Sequence, residues 1–399
     1  MKPHGAIPHW FDRERMAAIC AATGATPAFV YDFGVVRDKV ASLRAALPEG
    51  VAIHYAMKAN PLPAMVAAMV PLVDGIDIAS GGELVLAREV GAIHISFAGP
   101  GKRDAELEAA IMAEITINLE SEGEALRALA IAERLGVVPK LAVRVNPNFS
   151  LKGSGMKMGG GAAAFGVDAE HVAPLVRRLI ATGADWRGFH IFAGSQALDS
   201  DAIAETQAAT VVLADQLAGE IGATPPLINI GGGFGIPYFA NETAVDVTMI
   251  GARLGDVIAA RSESLAGSRF AVELGRWLVG ECGVYQTRVI DRKVSRGETF
   301  LVTDGGLHHQ LAASGNFGTV VRRNYPIAVA YKIDAPATET VNVVGCLCTP
   351  LDKLGDQVFL PRADVGDVIA VFMAGAYGAT ASPASFLGHG PAQEVMIGK

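Results

Sequence analysis

The run His54-Tyr-Ala-Met-Lys58-Ala-Asn-Pro61 sets a lysine in mostly apolar company. It closes a strand-like segment, Val51–Met57, and Pro61 and a helical stretch follow. An amine partly desolvated at a strand end loses some preference for its charged form. A neutral amine attacks an aldehyde carbon and forms a Schiff base. A lysine can equally lay its stem over apolar surface and keep its head in water, so this segment alone does not decide.

Other strand-like segments end on Ser80, Gly99, Glu120, Arg144 with Asn146, Ser195, Gly231–Gly233 and Glu273. Together they offer a hydroxyl, carboxylates, a guanidinium and a glycine run beside the amine. In Asn229-Ile-Gly-Gly-Gly-Phe-Gly235 the bare backbone N–H groups of Gly232 and Gly233 can approach a phosphate closely, although such a turn can also be only a turn. In Glu273-Leu-Gly-Arg276, Gly275 and Arg276 can add to the same anion site, the arginine by a two-pronged contact. A buried Glu273 needs a cationic or N–H partner, and a purely structural Glu–Arg pair reads the same way. Tyr377, in Gly375-Ala-Tyr-Gly378, either offers its phenol to a phosphate or caps a core. The polar, glycine-rich Lys152–Gly161 stretch reads as a mobile loop or lid, or as plain surface.

The elements that carry these residues alternate. Strand candidates are Val51–Met57, Gly75–Ala79, Ala92–Phe97, Glu114–Leu119, Lys140–Val145, Arg187–Phe192, Leu227–Ile230 and Phe270–Glu273. Ala- and Leu-rich helical stretches such as Ser121–Leu135 and Asp199–Ile221 separate them. Eight such units suit a (β/α)8 TIM barrel, whose C-terminal strand ends converge on one site. A doubly wound open sheet uses the same alternation. After Glu273 the pattern turns to strands: Leu278–Ile290, Thr299–Thr303, Val341–Val344, Gln357–Leu360 and Asp367–Phe372. The expected organisation is a barrel over 33–275 and a second, mostly β domain from 1–32 plus 276–399, with Ala28–Tyr31 as one of its strands.

Composition narrows the partners. The 399 residues are 51% hydrophobic, and the net charge of −8 comes with no basic stripe, which argues against nucleic acid and anionic membrane. No apolar run is long enough to span a bilayer, and no signal peptide is evident. Four cysteines do not make a disulfide framework, so a reducing, cytoplasmic setting is expected. Cys346-Leu-Cys348 has no second Cys or His pair nearby in sequence, so no metal is expected.

Taken in order, Tyr55-Ala-Met-Lys58-Ala-Asn, Asp77-Ile-Ala-Ser-Gly-Gly-Glu-Leu, Gly194-Ser-Gln, Gly231-Gly-Gly-Phe-Gly, Glu273-Leu-Gly-Arg, Cys348 and Gly375-Ala-Tyr377-Gly resemble the fold-type III pyridoxal-phosphate decarboxylases, the ornithine/diaminopimelate decarboxylase family. The likeness runs from about Ala28 to Ile397. It implies pyridoxal 5'-phosphate held by Lys58 as a Schiff base and Glu273 at the pyridine nitrogen, making the ring a stronger electron sink. It further implies a phosphate cradle of Ser195, Gly232, Gly233, Gly275, Arg276 and Tyr377, and places Arg144 near the phenolic oxygen. Cys348 is similar to the cysteine that one subunit of a family homodimer contributes to the other's site, near the substrate, where it helps protonate the product carbon. Weaker substrate contacts would come from Arg276, Thr349, Asp352 and Tyr377.

Departures from the family pattern bear on the substrate. Phe192 stands where a ring-stacking histidine is usual, and can stack without hydrogen bonding. Thr349 follows Cys348 where an acidic residue usually grips a distal ammonium. The usual Arg–Tyr grip on a distal carboxylate has no clear counterpart in Ala313–Gly318 or Arg322–Pro326, and Ser385-Phe-Leu-Gly-His389 replaces an Asn-Tyr-Asn. These variants are similar to an exosortase-associated subgroup and to the decarboxylase type acting on a carrier-protein-bound glutamyl thioester. The resemblance thus implies decarboxylation of a free or carrier-bound amino acid to the amine and carbon dioxide. The alternatives are a diaminopimelate decarboxylase of lysine biosynthesis, a fold-type III racemase, a Schiff-base aldolase without the cofactor, and a non-catalytic cofactor-binding protein.

Overall fold

The computed structural model describes residues 1–315 and 322–398. Residues 316–318 of the Ala313–Gly318 motif lie outside them. The chain divides into two compact units: Lys39–Gly235 with Val245–Gly275, and Met1–Asp38 with Ile236–Ala244 and Arg276–Lys399. Residues 33–38 and 236–244, which sequence alternation assigns to the barrel, thus group with the β-rich unit.

The first unit is a closed barrel of eight parallel strands. They are β1 (Ala52–Ala56), β2 (Gly75–Ile78), β3 (Ile95–Phe97), β4 (Thr116–Leu119), β5 (Lys140–Asn146), β6 (Asp185–Ile191), β7 (Leu227–Gly232) and β8 (Arg269–Leu274). Each pairs with the next, and β8 pairs with β1, which closes the ring and excludes the open doubly wound sheet. Parallel strands covered by helices are buried on both faces, so they read as continuous apolar runs. Ile53, Ile117, Val143, Ile228 and Val272 accordingly have no solvent exposure.

The two helical stretches singled out in the sequence start on side-chain caps. Ser121 accepts from the Glu124 N–H ahead of Glu122–Leu135, and Asp199 accepts from the Ala202 N–H ahead of Ser200–Ile221. Each cap satisfies an amide that the first turn leaves unpaired. Both helices end on a glycine in the left-handed region, Gly136 and Gly222.

The second unit is built on an eight-stranded sheet. Ala28–Asp32 pairs antiparallel with Gly283–Ser295 and parallel with Gln393–Ile397. Its core gathers Phe11, Met16, Ile19, Val30, Val284 and Phe372. The expected strand Leu278–Ile290 begins late: Arg276–Val279 is a helical turn, and the strand is Gly283–Ser295. Trp277, Leu278 and Val279 are buried together, and an apolar run that short carries no period to separate turn from strand. Among the described residues no helix is long and apolar enough to cross a membrane.

Candidate active site

At the C-terminal end of β1 the backbone turns sharply through Met57–Ala59. Met57 and Ala59 are buried while Lys58, between them, is exposed. The amine is therefore presented at the barrel mouth and is not sunk in apolar surroundings, a correction to the desolvation expected from its neighbours. A different lysine is buried. Lys102 Nζ donates to the carbonyls of Gly99 (2.7 Å) and Asn118 (2.9 Å) and to Glu124 (3.0 Å). Burial lowers its pKa, but all three donors are committed. Its role is to tie strand ends together.

β8 brings Glu273 beside this turn: His54 of β1 faces Glu273 across the ladder, and Tyr55 faces Leu274. A Cβ on Gly275 would stand 2.8 Å from Ala59 Cβ, so only glycine lets the two turns meet. Burial alone would raise the Glu273 carboxyl, but His190 Nε2 at 2.8 Å, together with the charges of Lys58 and Arg144, outweighs it. Glu273 is held ionised well below the usual carboxylate range. The close contact with His190 lacks the alignment of a hydrogen bond, so Oε2 keeps its acceptor capacity.

On β5, Arg144 Nη1 pairs with Glu120 at 2.9 Å, both side chains buried. Glu120 also accepts from the Gly99 N–H (2.6 Å) and the Gly166 N–H (2.8 Å). Burial opposes its charge, yet Arg144, Lys102 and the Gly99 amide keep its pKa lowered. The guanidinium lies over the Phe165 ring, 5.0 Å from its centroid.

Past β6 and β7 the backbone is packed without room for side chains. A Cβ on Gly232 would overlap the Glu273 carbonyl, and one on Gly233 the Gly194 carbonyl. Gly233 also has φ +77, a conformation that favours glycine. Half-buried Ser195 lies in the neighbouring segment, and Gln196 after it holds φ 59. Gly194–Ser195 pairs antiparallel with Met156–Lys157 of the glycine-rich loop. That loop, read as a mobile loop or lid or as plain surface, is joined to the Ser195 segment by a short ladder. Phe192 is half-buried, its ring 6.5 Å from that of His190.

The other expected residues belong to the β-rich unit. Arg276 donates to the Tyr238 hydroxyl (2.7 Å), and its guanidinium lies 4.7 Å from the Tyr377 ring centroid. Its Nε is buried with no hydrogen bond, and Tyr377 is held at φ 53. Cys348 is exposed and Thr349 half-buried. Asp352 is buried and accepts from the N–H groups of Leu307 (2.6 Å) and Leu347 (2.9 Å). Sequence reasoning missed His190 as the partner of Glu273. Its only signal was its place two residues before the atypical Phe192.

A cavity of about 910 Å³ lies at the opposite face of the barrel unit, lined by strand starts such as Ala52, Gly75, Thr116 and Lys140. The chemistry of this architecture belongs to the C-terminal ends.

The residues fit pyridoxal phosphate. An ionised Glu273 with acceptor capacity suits a pyridinium N–H. The side-chain-free backbone of Gly232 and Gly233 suits a phosphate, and exposed Lys58 suits an aldehyde. Bound, the cofactor supplies an electron sink for the carbon that loses carbon dioxide. The chain's own residues present the amine and hold the carboxylate charged. An amine, a carboxylate and a glycine cradle on one barrel mouth define a pyridoxal-phosphate enzyme of the TIM-barrel type.

Residues 33–280 match the family described as pyridoxal-dependent decarboxylase, pyridoxal binding domain, and the chain belongs to that family. It is 36% identical over 381 residues to the L-glutamyl–BtrI acyl-carrier protein decarboxylase of Niallia circulans, covering 93% of this chain and 88% of that one. It is 30% identical to the diaminopimelate decarboxylase of Aquifex aeolicus, with 90% and 83% covered. The crystal structure of Helicobacter pylori diaminopimelate decarboxylase with L-lysine superposes with a TM-score of 0.84 at 26% identity, covering 96% of this chain and 94% of that one. The chain is thus a pyridoxal-phosphate-dependent decarboxylase, and neither a cofactor-free aldolase nor a bare cofactor-binding barrel.

Gly233→Ala tests the cradle. The added methyl meets the Gly194 carbonyl at a left-handed φ, which costs about 1–3 kcal/mol. Pyridoxal-phosphate affinity, measured by fluorescence titration, should fall about tenfold or more. An unchanged affinity would remove Gly233 from the cradle.

Proposed function

We propose that this enzyme decarboxylates an aminoacyl group, glutamyl in the first instance, carried as a thioester on a carrier protein. The observation that carries this reading is the turn Gly345–Asp352. Its one carboxylate, Asp352, is buried and already accepts two backbone N–H groups, while Thr349 stands next to Cys348. A threonine cannot neutralise a distal ammonium, and an unpaired buried charge is costly. Ornithine, lysine or diaminopimelate would leave that ammonium without a partner there. A tethered substrate needs no such clamp. The relative acting on a glutamyl carrier protein, 36% identical over nearly the whole chain, supports the same reading.

Within it, Lys58 presents the amine that holds the cofactor, and Glu273 the charge opposite its ring nitrogen. Ser195, Gly232, Gly233, Gly275, Arg276 and Tyr377 take the phosphate, with Arg144 and Phe192 against the ring. Exposed Cys348 returns a proton to the product carbon of the neighbouring subunit's site, so the working form is a cytoplasmic homodimer.

Carbon dioxide release tests the substrate. Glutamyl carrier-protein thioester, free L-glutamate and meso-diaminopimelate are compared at equal concentrations. The thioester should lead in kcat/KM by about 10²-fold or more. Release confined to meso-diaminopimelate would refute the carrier reading and leave the cofactor chemistry standing.

A further inference from the structure

The β-rich unit holds a cluster that the decarboxylation chemistry does not use. His308, Cys346 and His389 point one ligand atom each to a common centre, all within 4.8 Å of one another. Cys346 Sγ lies 3.9 Å from His389 Nε2, and the His308 and His389 rings are 4.7 Å apart.

His308 has no solvent exposure, and neither ring nitrogen has a hydrogen-bond partner. Its neighbour shows what a satisfied histidine looks like here. His309 Nδ1 meets the Tyr285 hydroxyl at 3.1 Å and Nε2 meets the Gly390 carbonyl at 2.9 Å. Burying an imidazole with both nitrogens idle is costly, and such an exception calls for a reason.

The surroundings are built to hold the cluster. The Asp352 carboxylate accepts from Leu307 N–H and Leu347 N–H, the residues directly before His308 and directly after Cys346. Gly306 and Gly345 lie so close to that carboxylate that a Cβ on either would overlap it. One buried side chain thereby fixes two of the three segments that carry ligand atoms. Its oxygens are committed, so the donor set stays at two imidazoles and one thiol. Cys346 is half-buried and His389 is exposed, which leaves a path from solvent.

We infer that His308, Cys346 and His389 form a binding site for a thiophilic divalent cation of the zinc type. Two imidazole nitrogens and a thiolate suit that ion, and three protein ligands leave a fourth position for water. Ligand atoms around such an ion stand roughly 3.5 Å apart, so binding draws the three side chains together by rotamer shifts alone. The Cys346 thiol gives up its proton to solvent as the metal–sulfur bond forms. The C-x-C pair gave no sign of this in the sequence, because the ligand histidines are remote in the chain, His389 standing 43 residues from Cys346. The inference does not depend on which amino acid the enzyme decarboxylates.

The test uses full-length, cofactor-loaded enzyme, stripped with a chelator, desalted and titrated anaerobically with Co²⁺. One equivalent per chain should bring up the red d–d bands of a tetrahedral site and a thiolate charge-transfer band, with about one proton released. Zn²⁺ should displace it. Cys346→Ser should abolish the charge-transfer band, and His389→Ala should weaken Co²⁺ binding about tenfold or more. Far-UV circular dichroism confirms that each variant is folded, and either variant alone suffices. Absence of the bands at a tenfold excess of Co²⁺ would overturn the site. So would bands that survive both substitutions, or that vanish with Cys348→Ser instead.

Discussion

Lys58→Ala enzyme, incubated with pyridoxal phosphate and desalted, should be colourless and should release carbon dioxide on the order of 10³-fold more slowly than wild type. The structure supports so large an effect because the buried lysine at the strand ends cannot take over. Lys102 is the buried lysine near the strand ends, and its three donors are spent on Gly99, Asn118 and Glu124. Exposed Lys58 can be lost at little cost to folding, so the melting temperature should move by a few degrees at most. A small primary amine added to the variant should restore part of the turnover, which a merely structural lysine would not allow. A yellow Lys58→Ala protein with full activity would dismiss the assignment. The same variant tests the subunit arrangement. If Cys348 serves the neighbouring subunit, mixing inactive Lys58→Ala and Cys348→Ala chains should regain about a quarter of wild-type activity, from the one intact site in each mixed dimer. No regain would confine both residues to one chain.

The barrel was readable because its strands are buried on both faces and bounded by glycine and polar residues. All eight strand candidates form strands, shifted by no more than a few residues at their ends. Closure was not readable: the ladder between β8 and β1 joins residues more than two hundred positions apart, and no local pattern records it. The candidate site was readable as residue types at strand ends. How those groups are held was not. Lys58 looked desolvated because its chain neighbours are apolar, yet those neighbours point inward and the turn pushes Lys58 out. Asp352 was legible as a weak substrate contact; that its carboxylate accepts from backbone amides of two loops was not. The glycine-rich Lys152–Gly161 stretch looked loose because composition carries no information about a ladder with Gly194–Ser195. Each of these depends on what a distant segment brings alongside.

Glu273→Gln should lower kcat by about 10²–10³-fold while leaving the amine chemistry of Lys58 intact, because it removes charge without removing shape. The variant should stay yellow. Glu273→Ala goes further. It leaves His190, whose Nε2 lies 2.8 Å from the carboxylate in a buried site, without its polar neighbour, and a buried polar group left unsatisfied costs about 1–3 kcal/mol. The two variants together separate charge from packing. Their pH dependence gives the sign. The folded protein lowers the Glu273 pKa through His190, Lys58 and Arg144 against the opposing effect of burial. A carboxylate with a lowered folded value contributes stability above its unfolded value of about 4.3 and loses it as pH falls toward the folded value. The stability gap between wild type and Glu273→Gln, measured by denaturant unfolding, should therefore be constant from about pH 7 to about pH 5 and shrink on further acidification. A gap that grows on acidification would mean that Glu273 is protonated in the native state. In that case it could not face a pyridinium N–H as a charge, and the electron-sink argument for this chain would lose its anchor.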